Sequence, residues 1–344
     1  MGIKLINAGE ARGIISFDRS ETQIAITGSP PQLVPKRRKR FDTERYNEQL
    51  SLLCNMQGAE ILLGLAGVSD AVQAVFRVHE APLRKSLARL RRVLDAIADA
   101  DHADERWRWK NGQSLAEFVN SLPAEPRHRR RVRAIQRQIM QAQRSSQFTP
   151  EPGEHHALKV CSYARFSSPM RELVGIFTHK ELLEALNGRA FAEKRTDKLK
   201  EDNHNDEVLR EQVILAANRA KQTQRQLDKK IEFAALVSLF SRELELPDTP
   251  WHPGTIIGMR SDKLYISLDD FALDVKVYKD DLDEDWDTAY TFSDASAQPA
   301  NTLEKAASNT KAPVWQLGEG VKLRILSLDS QRQRLVFRLK PLAN

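Results

Sequence analysis

Cysteine is scarce in this chain: Cys54 and Cys161 are the two present in 344 residues, and they lie far apart. There is no Cys-x-x-Cys pair, and the eight histidines form no zinc spacing; the adjacent His155 and His156 do not make a structural site alone. A metal-stapled module is therefore not expected, and the two cysteines read as reduced core residues. Long apolar runs are missing too. With no stretch of about 18 apolar residues, no membrane span is expected. Met1-Gly2-Ile3-Lys4-Leu5-Ile6 lacks the apolar block of a signal peptide, and Ile6 stands where a myristoylation signal wants Ser or Thr. The chain reads as cytoplasmic. No internal repeat or heptad pattern is present, which argues against solenoids and coiled coils.

What the chain does have is uneven charge. The formal net charge is +6, and it comes from basic clusters set against an acidic C-terminal region. That asymmetry points to a polyanionic partner more than a uniformly basic surface would. Lys36-Arg37-Arg38-Lys39-Arg40 is one cluster, readable as a nuclear-import signal or a phosphate-binding edge, with solvated helix-entry charge the commoner explanation. Arg127-His128-Arg129-Arg130-Arg131-Val132-Arg133 is another, continuing as a helix to about Arg144. Its arginines cannot share one face of a 3.6-residue helix, so some are solvated or they form a phosphate-tracking wall.

At this length the chain holds two or three domains. Alternation over residues 12 to 28, around a polar turn at Asp18 to Glu21, predicts a β-hairpin ended by Gly28-Ser29-Pro30-Pro31. A helical stripe from Thr43 runs through Tyr46, Leu50, Leu53, Cys54 and Ile61. Next come an extended piece at Ala74 to Glu80, helices at Leu83 to Ala98 and near Ser114 to Asn120, and a long helix over roughly Asp206 to Arg242. Gln224 is the polar residue in the expected inner stripe of that long helix, either as a core amide or turned toward a site.

Leu246-Pro247-Asp248-Thr249-Pro250 is a linker. Beyond it, Thr255–Met259, Lys263–Leu268, Leu273–Val277, Val321–Leu328 and Arg334–Lys340 are strand candidates, which fit a small barrel of the oligonucleotide-binding type. An acidic insertion spans about 279–313. Its Asp281, Asp283, Asp285 and Asp287 resemble the start of a calcium loop, but Trp286 and Phe292 stand where glycine and glutamate are required, so calcium is rejected. The expectation is an α+β chain, helical over 1–246 and a five-stranded barrel over 247–344.

The stretch from Ser162 to Arg171 has the grammar of a helix start that meets an anion. Ser168 suits an N-cap and Pro169 a first helical position, which would put Arg171 in the first turn. A cation there opposes the helix dipole by about 0.3–1 kcal/mol when exposed. A phosphate held by the free amides and the guanidinium would remove the conflict; otherwise Arg171 is a surface arginine at an ordinary helix start.

Taken in order, these parts resemble the ribonuclease II (RNB) family of processive 3′-to-5′ exoribonucleases. The family's segment reads roughly Tyr-Thr-His-Phe-Thr-Ser-Pro-Ile-Arg-Arg-Tyr-Pro-Asp-Leu-x-x-His-Arg, and this chain keeps Tyr163, Phe166, Ser168, Pro169, Arg171 and His179. Asn47-Glu48-Gln49-Leu50 with Asn55, Phe76-Arg77-Val78-His79-Glu80 and Pro152-Gly153-Glu154-His155 are similar to further family segments in the same order. The resemblance implies an RNA-clamping role for Arg171, with Tyr163, Arg165, Ser168 and His179 along the RNA, and it aligns Gln224 with a glutamate near the metals. Arg165, Leu173 and Gly175 depart from the family's His, Tyr and Asp. The family's Asp-x-x-x-x-x-Asp-x-Asp-Asp cluster, which holds Mg²⁺, has no counterpart in this sequence.

Phosphodiester hydrolysis by two metals needs several anionic oxygens. The expectation is therefore the C-terminal part of an RNB domain plus an RNA-binding barrel, with no metal bound by this chain alone and single-stranded RNA as ligand. Two alternatives remain: half of a split enzyme whose partner polypeptide supplies the aspartates, or a protein-interaction module that no longer binds RNA.

Overall fold

In this computed structural model the described residues are 1–17, 21–29, 31–38, 40–67, 72–100, 104–167, 171–187, 197–271, 273–282 and 315–342, with backbone alone at 21, 100 and 197–203. The architecture is α+β. Its helices are α1 (Gly2–Ala11), α2 (Asp42–Ala66), α3 (Arg84–Ala100), α4 (Leu115–Asn120), α5 (Arg129–Ala142), α6 (Leu173–Leu186) and α7 (Asp197–Leu244). Its strands are β1 (Glu21–Thr27), β2 (Gln32–Arg38), β3 (Phe76–Val78), β4 (Gln147–Thr149), β5 (His252–Arg260), β6 (Lys263–Leu268), β7 (Asp274–Tyr278), β8 (Gly320–Asp329) and β9 (Arg334–Pro341). Among the described residues no helix is long and apolar enough to cross a membrane.

Two compact units divide the chain. One comprises Met1–Ser16, Arg40–Ala81 and Arg144–Asp228; the other comprises Phe17–Lys39, Pro82–Gln143 and Lys229–Asn344. In the first, α2 starts with Asp42 and Glu44 in its first turn, favourable to the helix dipole, and the Glu44 carboxylate accepts from the Phe41 N–H at 2.9 Å. Its buried residues are Asn55, Gly58, Ala59 and Leu62, a helical i, i+3, i+4, i+7 face. Ala59 and Leu62 join Val72, Ala74, Phe76, Ala164, Phe166 and Ala185 in one core cluster. Strand β3 pairs with β4, and because side chains alternate across the strand, Phe76 faces that cluster while Val75 packs with Phe148, Val174, Phe177 and Val213.

In the second unit the five strands after the linker form one antiparallel sheet in the order β7-β6-β5-β8-β9, and the outer strands β7 and β9 also touch. All five match the strand candidates to within a few residues. Val321, Leu323 and Ile325 of β8 and Leu335, Phe337 and Leu339 of β9 are buried. Register shifts at Ile256/Gly258 and Ile325/Ser327 bend the strands. Helix α5 lies on this sheet: the Gln138 side chain donates to the Ile257 carbonyl at 2.7 Å, Arg130 and Arg133 pair with Asp269, and Arg137 pairs with Asp274. Arg131 stacks on the buried Trp107 ring at 5.1 Å. These arginines hold the helix to the sheet. Gly318, at φ +86°, sits where a Cβ would fall 2.7 Å from the Arg131 Cα, so only glycine fits.

Four expectations are corrected. The hairpin is β1–β2, with Gly28, Ser29 and Pro31 in the connection between the strands instead of ending the motif. Lys36, Arg37 and Arg38 therefore belong to β2 and are not helix-entry charge. Cys54 and Cys161 are exposed, not core. In α7 every residue from Gln222 to Ala234 is exposed, so the expected inner stripe through Gln224, Leu227 and Ile231 is not buried. Most of the acidic insertion lies outside the described residues; Asp281 within it accepts a hydrogen bond from Arg334.

Candidate nucleic-acid interface

The stretch from Ser162 to Ser167 is fixed from beneath by α2. Asn55 is wholly buried. Its Oδ1 accepts from the backbone N–H groups of Phe166 at 2.7 Å and Ser167 at 2.8 Å, and its Nδ2 donates to the Tyr163 hydroxyl at 2.7 Å and Ser167 Oγ at 3.0 Å. Two backbone donors on one side settle which end of the amide is oxygen. Tyr163 and Phe166 are both buried, so they pack against protein and offer no open face to a base. A Cβ on Gly58 would lie 2.1 Å from the Phe166 ring, which explains a glycine in mid-helix. His179 joins from α6: its Nε2 bonds the Phe166 carbonyl at 2.9 Å, and the two rings meet edge to face.

Arg165 pairs with Glu172 through two parallel hydrogen bonds, one of them at 2.9 Å from Nε. Ser168, Pro169 and Met170 lie between these partners and outside the described residues. Helix α6 begins at Leu173 with Glu172 as its N-cap, later than the Ser168-Pro169 expectation, and the Glu172 side chain makes no capping hydrogen bond. Arg171 is thus an exposed turn residue ahead of the helix and not part of its first turn.

Gln224 is exposed and donates to Asp228 at 2.7 Å, one turn along the same helix. The inward amide of α7 is Asn218, which bonds both the N–H and the carbonyl of Phe148 at 3.0 Å. Nearby, His79, His155 and Tyr163 form a stack, with ring centroids 5.2 and 5.1 Å apart. The Ala157 N–H donates to His79 Nδ1, so His79 Nε2 carries the proton donated to the Arg144 carbonyl at 2.8 Å. Burial, helped by His79 and Arg77, pushes the His155 pKa down to about 3. Burial lowers the His79 pKa as well.

Mg²⁺, which the sequence resemblance associates with this chemistry, needs a set of oxygen ligands. Among the described residues, Glu181, Glu184 and Asp206 place one carboxylate oxygen each within 4.8 Å of one another. The Lys180 ammonium already lies on all three, at 2.9, 3.0 and 2.8 Å. Burial works against its charge, yet the hydrogen bonds to Asp206, Glu181 and Glu184 outweigh that and hold its pKa above the ordinary lysine value. The trio is an internal salt bridge and does not fit a divalent ion.

Residues 3–188 match the RNB domain model. Over 329 residues the chain is 24% identical to ribonuclease R of Aquifex aeolicus, covering 95% of this chain and 41% of that protein. Over 339 residues it is 20% identical to ribonuclease R of Escherichia coli, covering 97% of this chain and 38% of that one. The fold is similar to Mycoplasma genitalium RNase R, with a TM-score of 0.74 at 14% identity over 98% of this chain and 48% of that chain. The chain thus spans less than half the length of these relatives. With the family model matched across more than half of its residues, the chain belongs to the RNB domain family.

Proposed function

We propose that this chain binds single-stranded RNA as the C-terminal portion of an RNB exoribonuclease and does not cleave RNA by itself. The observation that carries the reading is an imbalance: Arg171 stands exposed before α6, whose N-cap side chain makes no capping hydrogen bond, while the one acidic trio among the described residues already holds the Lys180 ammonium at its centre. A phosphate fits the first arrangement, and the second offers nothing to hold the metals that hydrolysis requires. Residues 247–344 then act as an OB-type barrel for the strand, in a cytoplasmic protein. The Mycoplasma genitalium relative binds ribose-methylated single-stranded RNA in one structure and double-stranded RNA in another, which supports RNA as the ligand.

The test is equilibrium binding of a labelled single-stranded RNA across salt concentrations. Affinity falling with salt, and weaker binding by Arg171→Ala, supports the reading; salt-independent binding contradicts it. A second reading, half of a split exoribonuclease completed by a partner chain, is favoured by one feature. Leu173, Ile176, Leu183 and Leu186 share a face of α6 and are 52%, 53%, 57% and 65% exposed. A polypeptide carrying the missing aspartates would cover that stripe, and activity restored by adding such a chain would establish it.

A further inference from the structure

Three cations in the first unit converge on two adjacent serines just before β4. Ser146, itself 8% exposed, accepts at Oγ from Arg77 Nε at 3.0 Å and from Lys221 Nζ at 2.7 Å. Lys221 also donates to the Ser146 carbonyl. One turn further along α7, Arg225 donates to Ser145 Oγ at 2.8 Å. Among the described residues no carboxylate pairs with Arg77, Lys221 or Arg225; Glu172, whose charge acts on Arg77, is held by Arg165. Other arginines of the chain, such as Arg108 and Arg130, do have carboxylate partners.

The donor inventory is also unfilled. A guanidinium carries five N–H donors and an ammonium three. Arg77 uses Nε on Ser146, and its terminal nitrogens donate to no described residue; Lys221 has a third N–H beyond its two contacts with Ser146. The Ser146 hydroxyl, accepting from two cations, keeps its own proton to donate. Like charges gathered in this way repel one another. Burial, then Arg77 and Arg225, pushes the Lys221 pKa down to about 8, and burial with Arg165 and Arg225 lowers that of Arg77 against the opposing pull of Tyr163 and Glu172. Arrangements of this kind are relieved by an anion with several acceptor oxygens.

We propose that Arg77, Lys221, Arg225 and Ser146 form a binding site for a phosphate group, separate from Arg171. The proposal deepens the RNA reading and rests on it for the source of the phosphate, a phosphodiester of a single strand. A free phosphate or nucleotide offers the same chemistry.

The experiment uses the full chain, a labelled single-stranded oligoribonucleotide, uridine monophosphate and inorganic phosphate. One readout is RNA affinity as a function of salt for Lys221→Gln, Lys221→Arg and Arg225→Gln; Arg225 is exposed, so its replacement leaves the fold intact. The other is acylation of the Lys221 amine, followed by peptide mass, with and without each ligand. Expected are RNA binding weakened about tenfold in K221Q and R225Q, a salt slope smaller by about 0.7 per lost contact, recovery in K221R, and protection of Lys221 by RNA. Protection by phosphate or the mononucleotide without RNA binding supports the phosphate site and overturns the RNA reading. RNA binding unchanged in K221Q and R225Q, with no protection of Lys221, overturns the site and leaves the RNA reading standing. No protection by any ligand together with no RNA binding overturns both.

Discussion

The Asn55 side chain donates to the Tyr163 hydroxyl at 2.7 Å, across 108 residues of sequence. Through this contact and three others, α2 dictates the shape of the loop leading to Arg171. Asn55→Ala would strand the buried N–H of Phe166, and a loss on the order of 3 kcal/mol is expected from unpaired buried groups. Urea denaturation measures it. A variant as stable as the parent would show that the loop holds itself.

Phe166 and Gly58 test the same joint from its apolar side. Gly58→Ala would drive a methyl into the Phe166 ring, at a cost of about 1–3 kcal/mol. Phe166→Ala alone leaves a cavity and costs about 3–5 kcal/mol. In the double variant the added methyl enters the vacated space, so the combined loss should be smaller than the sum of the two single losses. Simple additivity would mean that the contact is not the reason for glycine.

The buried His155 makes stability depend on pH in a definite direction. Its folded pKa, about 3, lies below the ordinary 6.5 because burial, His79 and Arg77 disfavour its charge. The unfolded chain therefore binds the extra proton between those values. The stabilisation is complete above pH 6.5 and declines as pH falls toward 3. Urea midpoints at several pH values should fall through this window in the parent chain and less steeply in His155→Phe. Equal slopes would remove His155 as the cause.

Lys180 sits where a metal would have to sit. Lys180→Ala leaves the buried Glu181 without its ammonium partner, and a loss of about 3–5 kcal/mol is expected. Millimolar Mg²⁺ should recover part of that loss in the variant and leave the thermal midpoint of the parent unchanged. Stabilisation of the parent by Mg²⁺, abolished in the variant, would contradict the assignment of the trio as a salt bridge.

Much of the fold was legible where one face of an element is buried. Strands β7 and β9 and the first half of β8 alternate between buried and more open positions, and α3 and α4 carry clear apolar faces and, for α4, a Ser114 cap that bonds the Glu117 N–H at 3.2 Å. Legibility failed where long-range partners decide. Nothing local says that Arg165 will reach Glu172, or that the apolar stripe of α7 will be exposed from Gln222 to Ala234. The site was half visible. Phe166 and His179 of one motif meet in space, and Tyr163 is tied to the same Asn55 that holds Phe166, although as a packed scaffold. Asn55 and Arg77 lie in quoted motifs without announcing their roles. Lys221 and Arg225 carry no local signal, because only the fold brings them to Ser145 and Ser146.

The central claim, that this chain grips RNA without cutting it, is tested most directly by incubating the purified chain with 5′-labelled single-stranded RNA and Mg²⁺ and resolving the RNA on a denaturing gel. Binding confirmed in parallel with the labelled RNA left at full length is the expected result. A ladder of shortened products that disappears with EDTA would contradict it.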